Sequence, residues 1–171
     1  MTGSPRRLVV MRHAKAEQIA ASDHERELAA RGRQDAAEAG RWAASAGVVP
    51  DHVVVSSAAR TLGTWQSFVA ASGCSPEVVV DRSLYAAGTD GALEILRAVP
   101  QDAATVMLVG HNPTMAYLVH LLDDGNAEPE VFARVSEGYP TSALTVLEVP
   151  GPWADLDVAS ARITHFHVGR G

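Results

Sequence analysis

Four basic side chains follow apolar runs of the sequence, and together they could bind and transfer a phosphoryl group. Arg12 and His13 come directly after an apolar run, Arg60 follows a second run, and His111 ends a third. Arginine presents a fixed fork of N–H donors that matches phosphate oxygens, and a neutral imidazole can attack phosphorus. Neighbouring cations disfavour an imidazolium, so a histidine among arginines stays unprotonated near neutral pH. These residues therefore indicate phosphoryl-group chemistry.

Each of these residues, taken alone, also has an ordinary structural explanation. An Arg-His pair is common on surface loops, and Arg60 could be an exposed arginine that pairs with a carboxylate. Arg60 nevertheless falls in the first turn of a predicted helix, where the helix dipole is already positive. A guanidinium beside free backbone N–H groups favours a bound anion. The inference depends on the recurrence of the pattern at the ends of several apolar runs.

The pattern of apolar residues predicts strands that alternate with helices. The four predicted strands of the alternating part span 8–11, 52–57, 77–85 and 104–111, and the helices begin near 31, 58, 89 and 113. Ser56 and Ser57 are predicted to cap the second helix, Thr89 or Asp90 the third, and Asn112 the fourth. Residues 125–141 are expected to form a long loop or a short irregular helix. The last two strands, 142–149 and 161–168, are predicted to be antiparallel neighbours.

This alternation predicts an α/β fold with three layers, α/β/α. A mainly parallel central sheet would lie between helices, with antiparallel C-terminal strands at one side. The carboxyl ends of parallel strands share one edge of the sheet, which is where ligands bind in such folds. That edge would bring Arg12, His13, Arg60 and His111 together. The length of 171 residues and the lack of repeats predict a single domain over 1–171.

Composition and charge exclude several classes of function. The net charge of −6 argues against a general nucleic-acid or anionic-membrane surface, so neither is expected as a partner. The single cysteine, Cys74, excludes an intramolecular disulfide and a cysteine-cluster metal site. No apolar run approaches the ~20 residues needed to cross a bilayer. The basic segment 1–7 leads directly into the first strand and does not resemble a signal peptide, which predicts a cytoplasmic protein.

A metal site is not expected. His165 and His167 alternate with apolar residues on the last predicted strand, and an H-x-H pair can bind metal. The solvent-facing side of an edge strand explains the pair more simply, because no carboxylate or third histidine lies nearby in the sequence.

Taken together, the motifs resemble those of the histidine phosphatase superfamily, which is phosphoglycerate mutase-like and named for an Arg-His-Gly motif. The resemblance is strongest to its small SixA-type phosphohistidine phosphatases. It covers nearly the whole chain in the family's order, and the segments that carry it are MRHAKAE, DHERELAARGRQDAAEAGRWAA, VVVSSAARTLGTW, VGHNPT and YPTSALTVLEV.

The resemblance implies a phosphoglycerate mutase-like fold and a metal-independent phosphatase without cofactors. His13 would become phosphorylated during turnover, Arg12, Arg60 and His111 would hold the phosphoryl group, and water would then release phosphate. The implied substrate is a phosphorylated protein carrying phosphohistidine, or a small phosphorylated metabolite. The alternatives are a broad-specificity phosphomonoesterase and a non-catalytic phosphate-binding module. The oligomeric state is not predicted.

The sequence departs from the family pattern in two places. Ala14 stands where many larger relatives have glycine, and alanine still satisfies the need for a small residue at this position. The region after the third strand, residues 84–87, lacks the glutamate with which relatives protonate an alkoxide leaving group. A phosphoramidate nitrogen can be protonated by solvent, which favours phosphohistidine as substrate. Glu17, Asp23 and Tyr85 are candidate acids or substrate contacts if the loop over 15–30 closes over the pocket.

Overall fold

Six strands form the central sheet of the molecule. They are β1 (Arg6–Arg12), β2 (His52–Ser56), β3 (Glu77–Asp81), β4 (Thr105–Gly110), β5 (Ala143–Val149) and β6 (Arg162–Val168). Their order across the sheet is β3-β2-β4-β1-β5-β6. The first four strands are parallel, β5 is antiparallel to β1, and β6 is antiparallel to β5. The predicted mainly parallel sheet with antiparallel C-terminal strands is confirmed.

Helices cover both faces of this sheet. They are α1 (Ala30–Ser45), α2 (Ala59–Ser72), α3 (Ser83–Ala86), α4 (Thr89–Arg97), α5 (Thr114–Leu122) and α6 (Pro129–Glu137). Alternate side chains of β1 face opposite layers: Val9 and Met11 pack with α1 and α2, whereas Leu8 and Val10 pack with α4 and α5. A strand buried on both faces needs no polar alternation, which explains its continuous apolar sequence. The three-layer α/β/α architecture is confirmed.

The computed structural model describes residues 5–171. Residues 1–4, which hold part of the predicted basic N-terminal segment, lie outside the described residues. Within 5–171, none of the helices has both the length and the apolar character that a membrane crossing requires.

Two predicted boundaries after β2 and β3 were wrong. The strand predicted over 77–85 ends at Asp81, because the Asp81 carboxylate accepts hydrogen bonds from the backbone N–H and the hydroxyl of Ser83 (2.8 and 2.6 Å). Hydrogen bonds of this kind between a side chain and the nearby backbone commonly end a strand, because they replace its pairing with a neighbouring strand. Neither Ser56 nor Ser57 caps α2, whose N-cap position is Ala58 without a side-chain hydrogen bond. Both serine hydroxyls bind histidines instead.

Three other local predictions also differ from the structure. The N-cap of α4 is Gly88 rather than Thr89 or Asp90. The N-cap position of α5 is Pro113, one residue later than predicted, but the Asn112 side chain still caps the helix, because its Oδ1 accepts a hydrogen bond from the Ala116 backbone N–H (3.3 Å). Residues 125–141 contain a regular helix of nine residues, α6, which packs on β6. Pro129 begins this helix at a position where proline is favourable. A proline in this segment therefore marks the start of a helix rather than a loop.

Candidate active site

The candidate site lies at the carboxyl ends of three adjacent strands. Arg12 ends β1 and His13 follows it, Arg60 lies in the first turn of α2 after β2, and His111 follows β4. The sheet places β4 between β1 and β2. The His13 backbone N–H continues the β1–β4 pairing by donating to the Gly110 carbonyl (2.9 Å). The structure thus brings the four predicted residues to one edge, with the His13 and His111 ring centroids 5.4 Å apart.

The His13 ring is held in one tautomer. Its Nδ1 lies 2.7 Å from the Ala14 carbonyl oxygen, which can only accept, so Nδ1 carries the proton and donates. Nε2 then has a free lone pair and makes no hydrogen bond to the described residues. The side chain is buried, with 9% of the residue exposed. Burial lowers the pKa of His13 to about 4, with Arg60 and Arg12 adding to the shift, although the Ala14 bond partly opposes it. At neutral pH the His13 ring is therefore uncharged, with an unprotonated Nε2.

His111 is also neutral and has a hydroxyl partner. Its Nε2 lies 2.7 Å from Ser56 Oγ, and its Nδ1 is buried without a hydrogen-bond partner. Burial, followed by the charge of Arg60, lowers the pKa of His111 to about 3. Two neutral histidines therefore lie beside two arginines, and the arginines supply the positive charge of the pocket.

Each of the two arginines is held by a hydrogen bond to a backbone carbonyl. Arg12 Nη1 donates to the Tyr139 carbonyl (3.1 Å), and Arg60 Nη1 donates to the Asp23 carbonyl (2.8 Å). The Nε atoms of both arginines are buried without a partner. Buried donors in native proteins are almost always satisfied, so unpartnered guanidinium N–H groups favour a bound anion.

Asp23 and Tyr85, two of the three candidate acids, lie at the rim of this pocket. The Asp23 carboxylate accepts from Tyr85 Oη (2.5 Å), Arg60 Nη2 (3.1 Å) and Arg26 Nη1 (3.0 Å). The Tyr85 hydroxyl, then Arg26 and Arg60, holds the pKa of Asp23 well below its usual range, while Asp23 raises the pKa of Tyr85. Asp23 is therefore a carboxylate and Tyr85 a phenol. The third candidate, Glu17, is exposed, and its side chain contacts none of these groups.

Three residues that support the site were not identified from the sequence as site residues. Ser56 binds His111, the Thr64 hydroxyl accepts a hydrogen bond from the Ala14 backbone N–H (2.9 Å), and the Ser142 backbone N–H donates to the His13 carbonyl (3.1 Å). Local periodicity places Ser56 and Ser142 in predicted strands and Thr64 in a predicted helix, but it does not place them at a site. The only sequence signal for these contacts was the pair of hydroxyl side chains, Ser56 and Ser57, at the end of the second apolar run.

The histidines of β6 lie apart from this pocket. His167 Nε2 lies 2.8 Å from Glu38 Oε2 and stacks on Trp42 at 4.6 Å between ring centroids. No cluster of three or more histidine, cysteine, aspartate or glutamate side chains with metal-binding geometry occurs within 5–171.

The depressed histidine pKa values predict that the folded protein becomes less stable as the pH falls from about 6.5 toward 4. An unfolded histidine takes up a proton near pH 6.5, whereas folded His13 resists protonation down to about pH 4. Between these values the unfolded state binds more protons, so the free energy of unfolding rises with pH. We expect a loss of about 1–2 kcal/mol per buried histidine between pH 7 and pH 5, measured by urea unfolding. His13→Ala should show a flatter pH dependence; an unchanged one would contradict the buried neutral ring.

Two solved structures and a group of mycobacterial proteins are similar to the chain over nearly its whole length. The structure of “Putative Phosphohistidine Phosphatase SixA” from Nakamurella multipartitia has 35% identity and a TM-score of 0.85, over 99% of both chains. The structure of the “putative phosphohistidine phosphatase SixA” from Agrobacterium tumefaciens has 30% identity and a TM-score of 0.79, over 96% of this chain and 99% of that chain. An uncharacterized protein of Mycobacterium tuberculosis is 35% identical over 94% of this chain and 100% of its own. No family model matches the chain.

Proposed function

We propose that this chain, a phosphatase that belongs to the histidine phosphatase superfamily, hydrolyses phosphohistidine as a SixA-type enzyme would, through a covalent intermediate on His13. The observation that carries the proposal is the hydrogen bond from His13 Nδ1 to the Ala14 carbonyl, which leaves the Nε2 lone pair available on a ring that is influenced by the charges of Arg12 and Arg60. A nucleophile of this kind splits one difficult displacement into two easier ones.

In the first step, His13 Nε2 attacks phosphorus, the new N–P bond forms, and the bond to the leaving nitrogen of the substrate breaks. In the second step, a water molecule attacks phosphorus of the phosphorylated His13, and inorganic phosphate leaves while the neutral imidazole is restored. Arg12, Arg60 and His111 hold the three equatorial oxygens in both transition states. Electrostatic stabilisation of these oxygens is the main source of catalysis in phosphoryl transfer.

The rim of the site supports a nitrogen leaving group rather than an alkoxide. An alkoxide needs a proton from a general acid, but Asp23 is ionised and the Tyr85 hydroxyl already donates to it. Residues 84–87 add no carboxylate. The imidazole of phosphohistidine can bring its own proton from solvent, so it departs without help from the protein. The exposed Asp23 side chain (53%) also leaves the rim open to a phosphorylated protein.

One observation favours the alternative of a broad-specificity phosphomonoesterase. Tyr85 holds a proton at the rim, and its ring lies edge-on to His111 with centroids 5.5 Å apart. If Tyr85 were released from Asp23, its hydroxyl could serve as the acid for an ester substrate.

A comparison of substrates without added metal tests the proposal. We expect kcat/KM for a phosphohistidine peptide to exceed that for an alkyl phosphate such as glycerol phosphate by about 100-fold or more, the size of a missing general acid. Para-nitrophenyl phosphate does not discriminate, because its leaving group needs no acid. Spontaneous loss of phosphate from the peptide is subtracted with the His13→Ala protein. Equal rates for the peptide and the alkyl ester would favour the phosphomonoesterase.

A further inference from the structure

The hydroxyl of Ser56 is the sole hydrogen-bonding neighbour of the His111 ring among residues 5–171. The oxygen lies 2.7 Å from His111 Nε2, and Ser56 is fully buried. His111 Nδ1 is buried as well and has no partner. We propose that Ser56 is a positioning residue that fixes His111 as the Nδ1–H tautomer, so that His111 donates a hydrogen bond to the phosphoryl group. The proposal rests on the phosphatase function proposed above.

The two tautomers of His111 leave different numbers of buried groups unsatisfied. If the Ser56 hydroxyl donates to Nε2, this contact is satisfied and the Nδ1–H group alone remains, as a donor for a ligand. If Nε2–H donates to Ser56 instead, the serine hydrogen has no acceptor and the Nδ1 lone pair has no donor. Each unsatisfied buried polar group destabilises the folded protein, so the first arrangement, which leaves fewer of them, is favoured.

The choice of tautomer matters because His111 is neutral and has only one ring proton. An Nδ1 lone pair facing a phosphoryl dianion would repel it, whereas an Nδ1–H group would stabilise the charge that develops on an equatorial oxygen. Since burial and Arg60 keep His111 unprotonated, the ring cannot gain a second proton near neutral pH. The Ser56 contact therefore decides whether His111 attracts or repels the substrate.

The fold holds Ser56 rigidly in place. Ser56 is the last residue of β2, and the preceding Val55 pairs with Val109 of β4, two residues before His111. The Ser56 carbonyl also accepts a hydrogen bond from the Thr61 hydroxyl (2.7 Å) in the first turn of α2. The neighbouring Ser57 hydroxyl instead lies 2.9 Å from His24 Nε2, away from His111. The two adjacent serines thus provide a matched pair of variants.

The test combines a direct measurement of the tautomer with three variants. In the unmodified protein, ¹⁵N NMR of the histidine rings should show the proton of His111 on Nδ1, and addition of inorganic phosphate should shift this Nδ1–H signal. Ser56→Ala should lower kcat/KM about 10- to 100-fold, the range for a weakened donor to the transition state. Ser56→Thr, which keeps the hydroxyl, should recover most of the activity, and Ser57→Ala should stay within about twofold of the original.

Several outcomes would overturn the proposal. One is a His111 proton on Nε2 in the unmodified protein, and another is a Ser56→Ala protein that is as active as Ser57→Ala. If Ser56→Ala fails to fold, the NMR measurement on the unmodified protein and the Ser56→Thr variant still decide. Failure of the proposed function is distinguishable, since it would appear as a lack of turnover in the unmodified protein while the tautomer could still be measured.

Discussion

Replacement of His13 by alanine is expected to abolish turnover, with kcat reduced by about 10⁴-fold or more, because the covalent route is lost with the nucleophile. The variant keeps both arginines of the pocket. Binding of inorganic phosphate should therefore survive in weakened form. The measurement is the steady-state rate of phosphate release by the purified variant, compared with that of the unmodified protein.

A trapping experiment makes this prediction specific to one atom. Rapid quenching of the unmodified protein with ³²P-labelled substrate should leave alkali-stable, acid-labile label on His13, and His13→Ala should carry none. His120→Ala is the matched control and should keep the label, because His120 is an exposed histidine of α5 whose ring lies against Phe132. Label on another residue, or turnover by His13→Ala, would show that the nucleophile is wrong. Phosphate binding without turnover in the unmodified protein would indicate the non-catalytic module.

The largest effect on stability is expected for Trp153→Ala. Trp153 is fully buried in the core on the α4 and α5 face of the sheet, and its Nε1 donates to the Ala103 carbonyl (2.8 Å). Loss of a buried tryptophan leaves a cavity and an unpaired carbonyl, so the free energy of unfolding should fall by about 3–5 kcal/mol. Urea unfolding followed by circular dichroism measures this change.

Two comparisons separate packing from chemistry in that experiment. Ile19→Ala should change the free energy of unfolding by less than about 0.5 kcal/mol, because Ile19 is 90% exposed. Trp153→Ala protein that remains folded at low temperature should keep its kcat, because Trp153 bonds to Ala103 just before β4, at the opposite end of that strand from His111. A loss of kcat equal to that of His13→Ala would contradict the assignment of Trp153 to the core.

The strands and the convergence of the site residues could be predicted from the sequence because both follow from long-range rules with strong local signals. β1 and β4 are buried on both faces, so their apolar runs are continuous and end abruptly at Arg12 and Gly110. Parallel strands then place whatever follows them on one edge. That argument brought His13 and His111 together without knowledge of which ring atoms would face each other.

The hydrogen-bond partners of the site could not be predicted, because they depend on contacts between distant segments. Ser56 is a residue type common at helix N-caps and lies just before α2, so the sequence predicts a cap. The contact of its hydroxyl with His111 depends on the pairing of β2 with β4, which the local sequence does not show. The burial of Trp153 likewise depends on the packing of α4 against the short helical turn Trp153–Asp155. Asp23 was predicted as a candidate acid or substrate contact, but the sequence does not reveal that its carboxylate accepts hydrogen bonds from Arg60 and Tyr85.

The position of β4 between β1 and β2 also constrains how this protein can lose its activity. The proposed nucleophile His13 and its proposed partner His111 come from sequence positions separated by about half the chain, and all the site residues become neighbours only when both parallel pairings have formed. Contacts of such high sequence separation form together with the rest of the native structure rather than before it. Catalytic competence and cooperative folding should therefore be inseparable: under denaturing stress the population of active molecules should shrink, while the survivors keep an unaltered affinity for substrate.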